Sequence, residues 1–381
     1  MRICVDAMYT PYQLLHDAVL VVERGAVVDV SEGGPCDVDR RGYAAAPGLV
    51  DTHTHGCCGV DFTSIRSPAD VAKLARGYVK FGVTAFLPTT VSASHGRLIA
   101  VLEAVKGLAG AQTGGAKILG VNLEGPYINP RRRGAQDPAA IRPPDVREAE
   151  EYLSYGGLLK VMTLAPEMPG ALELIKALAR AGVVPSVGHT DADYATTRRA
   201  IALGASRATH LFNAMRGFHH REPGAVWALL EAEDVYLELI LDLVHLRPEA
   251  VSAALKLAGS GRVVLITDSI AAAGLEEGDF RLGDVVVHVE GKKATLDDGT
   301  LAGSVLTLDE AVRNAVSIGV EPGLALAMAS RTPALSIGEA MLGCLKPGCR
   351  ADFVILDGKF NVIETYIDGE RKWSILESEA S

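Results

Sequence analysis

Through the middle of this chain, short apolar runs alternate with amphipathic helical stretches. Eight runs read as strands: one ending in His53-Thr54-His55, then 85–88, 118–124, 159–164, 183–189, 207–210, 236–242 and 263–268. Such continuous apolar runs suit strands covered on both faces, as in parallel sheets. Stretches 68–80, 170–181 and 194–203 carry helical periodicity and fall between them. β/α units of this number and size predict an α/β fold, a (β/α)8 TIM-like barrel. The ends differ. Residues 18–30 read as strand, glycine turn, strand, and residues 352–367 as two strands joined at Asp357-Gly358, a strong hairpin signal. The pattern predicts a small β-sandwich domain formed from both termini, 1–47 and 343–381, around a barrel spanning 48–342. A hairpin is expected as an insertion near 280–302, with its turn at Asp297-Asp298-Gly299.

Composition narrows the function. The 381 residues suffice for one large domain plus a small one, and the net charge of −10 argues against nucleic-acid binding. An anionic ligand must be met by local cations. Neither a signal peptide nor a membrane span is expected, so the chain reads as cytoplasmic. Six cysteines (Cys4, Cys36, Cys57, Cys58, Cys344, Cys349) show no zinc-ribbon spacing and are expected to be mostly reduced thiols. Five Asn and three Gln are few. Depletion of these amides is a thermophile tendency, though a GC-biased genome produces the same skew.

Candidate chemistry gathers at strand ends. Residues i and i+2 of a strand share a face, so His53 and His55 can present two imidazoles to one metal. Glu124, His189, His210 and Asp268 each end another apolar run, at the rim where such barrels carry their chemistry. Each has a plainer reading alone: Glu124 as a cap or arginine partner, His189 as a loop histidine, His210 as a satisfied buried histidine, Asp268 as an N-cap. Their coincidence favours a metal centre. A His/Asp/Glu set without Cys suits zinc, iron, cobalt or manganese, and six candidates exceed what one tetrahedral ion needs. Two divalent ions sharing a carboxylate use them all.

These residues resemble the amidohydrolase superfamily and, within it, the N-acetylglucosamine-6-phosphate deacetylases. The resemblance runs through nearly the whole chain. It is carried by Pro47-Gly48-Leu49-Val50-Asp51-Thr52-His53-Thr54-His55-Gly56, Leu123-Glu124-Gly125-Pro126-Tyr127, Gly188-His189-Thr190-Asp191-Ala192 and Thr267-Asp268. The block from Thr209-His210-Leu211-Phe212-Asn213-Ala214-Met215 to His219-His220-Arg221-Glu222-Pro223-Gly224 is the most specific. The resemblance implies one metal on His53, His55, Glu124 and Asp268, and a second on Glu124, His189 and His210. It also implies deacetylation of an N-acetylamino sugar phosphate by water activated at the metal. Asp268 then serves as base and acid. Substrate contacts map to Ala135, Gln136, Asn213, Ala214, Arg221, Asp242, His245, Leu301, Ala302 and Gly303. Arg221 is implied to cross from the neighbouring subunit of a homodimer to meet the phosphate.

Alternatives within and outside the class remain. A cyclic-amide hydrolase such as a dihydroorotase commonly bridges its metals with a carboxylated lysine, and no lysine is placed for that role. A non-catalytic barrel is signalled by lost ligands, and here all are present. Three features depart from the pattern or lie outside it. The family's usual Ala-Asp-Gly-x-His reads Leu241-Asp242-Leu243-Val244-His245. Cys57-Cys58 follows the two histidines, and Arg131-Arg132-Arg133 is a basic run, plainest as a solvated loop.

Overall fold

A computed structural model describes residues 1–376. Eight parallel strands follow one another in chain order: Leu49–Thr54, Val83–Thr90, Val121–Glu124, Leu159–Leu164, Val184–Val187, Arg207–Ala208, Tyr236–Ile240 and Val263–Ile266. Each lies on a predicted run, and a two-residue strand, Lys117–Ile118, pairs beside the second. The first and last strands meet without a ladder. Instead, the Asp268 N–H donates to the His53 carbonyl at 3.0 Å, and the Thr267 hydroxyl donates to the buried Asp51 carboxyl at 2.5 Å. The barrel's closing seam therefore brings the His-x-His strand and Asp268 together.

Outer helices cover the strands as the periodicity predicts. In Ala171–Arg180 the buried residues are Ala171, Leu174, Ile175 and Leu178, the i, i+3, i+4, i+7 stripe of a one-sided helix. Tyr194–Ala202 starts at Asp193, whose carboxylate accepts the Thr196 N–H at 2.7 Å.

Strands from both termini form one seven-stranded sheet, giving the separate β-sandwich-like domain. It is joined where Phe353–Leu356 runs antiparallel to Val38–Pro47. Ile3, Val5, Met8, Leu20, Phe353 and Ile355 build its core, apart from the barrel's. The last five residues of the 343–381 segment lie outside the described residues. The insertion has three strands, Gly278–Leu282, Val285–Glu290 and Lys293–Thr295, one more than the expected hairpin. Its apolar face (Leu282, Val287, Ala294) packs on Ala135, Ile270 and Ala272, so it roofs the end of the barrel where Asp268 emerges.

The cysteine expectation is corrected. Cys4 pairs with Cys36 and Cys344 with Cys349, leaving Cys57 and Cys58 as the free cysteines among the described residues. The parallel pairing of Ile3 with Val38 and Cys4 with Asp39 carries Cys36 back beside Cys4. Their Cα atoms lie 5.7 Å apart across 32 residues of sequence. Spacing along the chain does not reveal such a register.

Candidate active site

His53 and His55 leave the end of the first barrel strand on one face, and their Nε2 atoms lie 3.3 and 3.0 Å from Asp268 Oδ1. Glu124 ends the third strand. Its Oε1 lies 3.0 Å from His189 Nε2, 2.9 Å from His210 Nε2 and 3.7 Å from His53 Nε2, while Oε2 lies 3.4 Å from His55 Nε2. Two groups result, His53–His55–Glu124 and Glu124–His189–His210, with the ligand atoms of each within 4.8 Å of one another. Glu124 belongs to both. All six predicted residues are thus brought together, and all are buried.

The cluster fits a bound cation on its own chemistry. His53 Nε2 and Asp268 Oδ1 are buried and form no hydrogen bond, although each faces the cluster. Undirected buried polar atoms are costly, roughly 1–3 kcal/mol each, unless something takes them up. Outer contacts orient the rings. His53 Nδ1 pairs with Glu238 at 2.9 Å, His55 Nδ1 with the Thr89 carbonyl at 3.1 Å, and His189 Nδ1 with the Arg132 carbonyl at 2.7 Å. An acceptor at Nδ1 favours the tautomer with its proton there, the one in which Nε2 can serve as a ligand. Burial opposes ionisation of Glu124, yet the imidazoles of His189, His210 and His55 hold its carboxyl well below the usual range. Burial likewise opposes Asp268, and His55 and His53 bring its carboxyl below the ordinary value.

The backbone is bent to this purpose. His189, His210 and Asp268 have φ of 47°, 29° and 49°, a left-handed conformation that non-glycine residues rarely take. Such strain, about 1–3 kcal/mol per residue, clusters at functional sites. Gly303 follows a similar logic. It has φ of 59°, and a Cβ there would come 2.8 Å from the Asp268 carbonyl.

A cavity of about 260 Å³ opens above the cluster, lined by His55, Glu124, His189, His210 and Asp268 and by Ala135, Gln136, Asn213, Ala214, His245, Leu301 and Gly303. Gln136 is held: its amide donates to Glu124 at 2.8 Å and its carbonyl accepts the Ser92 N–H at 2.7 Å. Asp242 lies behind His245, accepting its ring Nδ1–H at 2.6 Å and the N–H groups of Val244 and His245. Ala302 is buried in the core of the insertion. Leu243, where the family pattern has glycine, takes φ of 62°. Arg221 does not line this cavity; it sits on an exposed turn with its Nη1 2.8 Å from His220 Nε2. Arg132, of the basic run, is paired with Asp191 at 2.7 Å. A larger cavity of about 680 Å³ lies between barrel and β domain and includes none of the candidate residues. Lys117 on its wall is paired with Asp352 and Asp368, so the smaller cavity carries the chemistry.

Sequence reasoning passed over Glu238 and Arg207. Both are fully buried and joined at 2.6 Å, Glu238 interrupting an apolar run and Arg207 opening the two-residue strand before His210. That interruption was the available signal.

Catalytic barrels with such a rim of histidines and carboxylates define a class of metal-dependent hydrolases, and residues 44–372 match the model of the amidohydrolase family. The chain belongs to that family, among its N-acetylglucosamine-6-phosphate deacetylases. It is 37% identical over 318 residues to the N-acetylglucosamine-6-phosphate deacetylase of Bacillus subtilis, covering 81% of this chain and 80% of that one. It is also 38% identical over 359 residues to the N-acetylgalactosamine-6-phosphate deacetylase of Escherichia coli O157:H7, covering 93% and 95%. Among solved structures, a mutant Mycobacterium smegmatis N-acetyl-D-glucosamine-6-phosphate deacetylase in complex with N-acetyl-D-glucosamine-6-phosphate superposes with a TM-score of 0.94, at 35% identity over 98% of this chain and 99% of that one. Among the described residues no helix is long and apolar enough to cross a membrane.

Proposed function

We propose that this chain hydrolyses the acetamide of N-acetyl-D-glucosamine 6-phosphate to D-glucosamine 6-phosphate and acetate. The observation that carries the reading is Glu124 shared between two histidine groups, with the unbonded Asp268 Oδ1 facing the same cavity. We assign one divalent ion to His53, His55, Glu124 and Asp268 and a second to Glu124, His189 and His210; zinc is the foremost candidate, with iron, cobalt and manganese compatible. A divalent ion in such a set lowers the pKa of bound water to near neutrality and polarises a carbonyl.

The chain's own groups do the rest. Asp268 is ionised and accepts the proton of the attacking water, then delivers it to the departing amine nitrogen. His245, its Nδ1 held by Asp242, offers Nε2 to a sugar hydroxyl. Asn213, Ala214, the 301–303 turn, Ala135 and Gln136 shape the sugar pocket. Gln136 spends its amide on Glu124, so it steadies that carboxylate rather than the substrate carbonyl. Arg221 binds the phosphate in the neighbouring subunit of a homodimer, its planar fork suiting a phosphate. The exposed Phe218, its ring tilted against Trp227 with centroids 5.0 Å apart, supplies an apolar patch near it in sequence for that interface.

The E. coli relative favours a second substrate, the 4-epimer. Acetate release should be measured from both 6-phosphorylated epimers and from unphosphorylated N-acetylglucosamine, before and after chelation. The expected result is turnover of the phosphorylated gluco sugar, abolished by chelator and restored by divalent metal. Faster turnover of the galacto sugar moves the assignment to the epimer, and no release from either ends it.

A further inference from the structure

We infer that Glu238 is a positioning residue for the metal centre, one buried carboxylate that aligns the ligands of both groups at once; this rests on the metal-dependent reading above. Glu238 sits in the middle of the strand Tyr236–Ile240 and is fully buried. Its Oε2 accepts two donors that belong to different halves of the centre. One is the His53 ring Nδ1–H, at 2.9 Å. The other is the His210 backbone N–H, at 3.0 Å. The Glu238 main-chain carbonyl takes the next N–H, that of Leu211, at 2.8 Å.

Two consequences follow from this geometry. A carboxylate only accepts hydrogen bonds, so the proton of neutral His53 must reside on Nδ1. The Nε2 lone pair is then directed at the cluster, where it makes no hydrogen bond. Second, His210 leaves a strand only two residues long with φ of 29°. An anchor at its own N–H and at the next one resists relaxation of that strained turn and keeps its ring against Glu124.

Arg207 makes the arrangement tenable. A buried carboxylate without a partner is strongly unfavourable, and the Arg207 Nε lies 2.6 Å from Glu238 Oε1. The guanidinium is itself held by Ser336 Oγ at 2.6 Å and by Thr52 Oγ1. Oε1 thus serves charge balance while Oε2 serves alignment.

The test is Glu238→Gln in the full-length protein, titrated with Co²⁺ and followed by the visible absorption of the bound ion. With the amide oxygen kept on Arg207, the NH₂ group faces His53 Nδ1 and the His210 N–H. It donates to Nδ1 only if that atom is bare, which moves the ring proton to Nε2 and removes it as a ligand. Loss of such outer partners weakens metal binding by about 10–100-fold. The expected result is therefore weaker Co²⁺ binding of that order and an altered spectrum, with the wild-type circular dichroism retained. Long-range ¹H–¹⁵N spectra of the metal-free wild type, which need no variant to fold, should show the Nδ1–H tautomer for His53. An Nε2–H tautomer there, or a folded Glu238→Gln protein with wild-type affinity and spectrum, overturns the inference. Wild-type protein that neither binds Co²⁺ nor releases acetate instead overturns the functional reading beneath it.

Discussion

Asp268 is proposed to serve twice with one carboxylate, as ligand of an ion with His53 and His55 and as carrier of a proton. Both proposed roles are supported by Oδ1 being buried, ionised and unbonded while its main chain is locked, its N–H to His53 and its carbonyl to Ser304 at 2.8 Å. Asp268→Asn keeps the shape and removes the proton acceptor. Proton transfer contributes about 10²–10⁴-fold, so a loss of at least that order in turnover is expected, with the Glu124–His189–His210 site still metallated. Turnover above about a tenth of wild type, measured with metal content, removes Asp268 from that role. At this scale the sequence was most informative where chemistry dictates residue type. Six polar residues at the ends of apolar runs have little structural reason to be there, and all six meet in space. Glu238 and Arg207 escaped notice because Glu238 sits inside a run and Arg207 opens one, and the pairing that satisfies each comes from a strand 31 residues away.

The loops that carry the candidate ligands are tied to one another by backbone hydrogen bonds, Thr190 N–H to the Ala214 carbonyl at 3.1 Å and Arg216 N–H to the Thr190 carbonyl at 3.0 Å, and by side chains. Asp191, two residues past His189, receives Arg132 at 2.7 Å and Arg216 at 3.1 Å, joining the loops after three barrel strands. The guanidiniums of Arg216 and Arg132 draw its carboxyl down to about 2. A carboxyl whose pKa falls on folding stabilises above its unfolded value, and the contribution disappears as pH drops through the folded value. The unfolded value is about 3.9. In metal-free protein, the melting temperature of wild type should therefore exceed that of Asp191→Asn at neutral pH. That difference should shrink between about pH 4 and pH 2. A constant difference across this range means the arginines do not stabilise the ionised form. Element types were legible because period and run length separate buried strands from one-sided helices. The third strand of the insertion was not, because Lys293–Thr295 is three residues long and defined by its partner. Leu243 shows the same limit: its left-handed turn is imposed by Asp242 accepting the Val244 and His245 N–H groups, not by its own preference.

At the scale of the whole molecule, the barrel and the sheet built from both termini have separate cores. The two disulfides staple the β domain and the segment leading into it. The cavity itself has imidazole at His245 but no lysine or arginine among its lining residues. A phosphate bound there lacks a full positive charge from this subunit, whereas Arg221 stands exposed on its turn with only His220 beside its guanidinium. If Arg221 crosses a two-fold interface, each site is completed by its neighbour. Arg221→Ala should then raise KM for the phosphorylated sugar and leave the unphosphorylated one nearly unchanged. Charge-assisted contacts are worth about 1.5–3 kcal/mol, or roughly one to two decades in kcat/KM. Mixing Arg221→Ala with Asp268→Asn protomers supplies the decisive measurement. A mixed dimer holds one site with Asp268 intact and Arg221 received from the other chain, so activity should return once subunit exchange is verified by mass. Verified mixed dimers that stay inactive place Arg221 in its own subunit's site or away from the phosphate altogether.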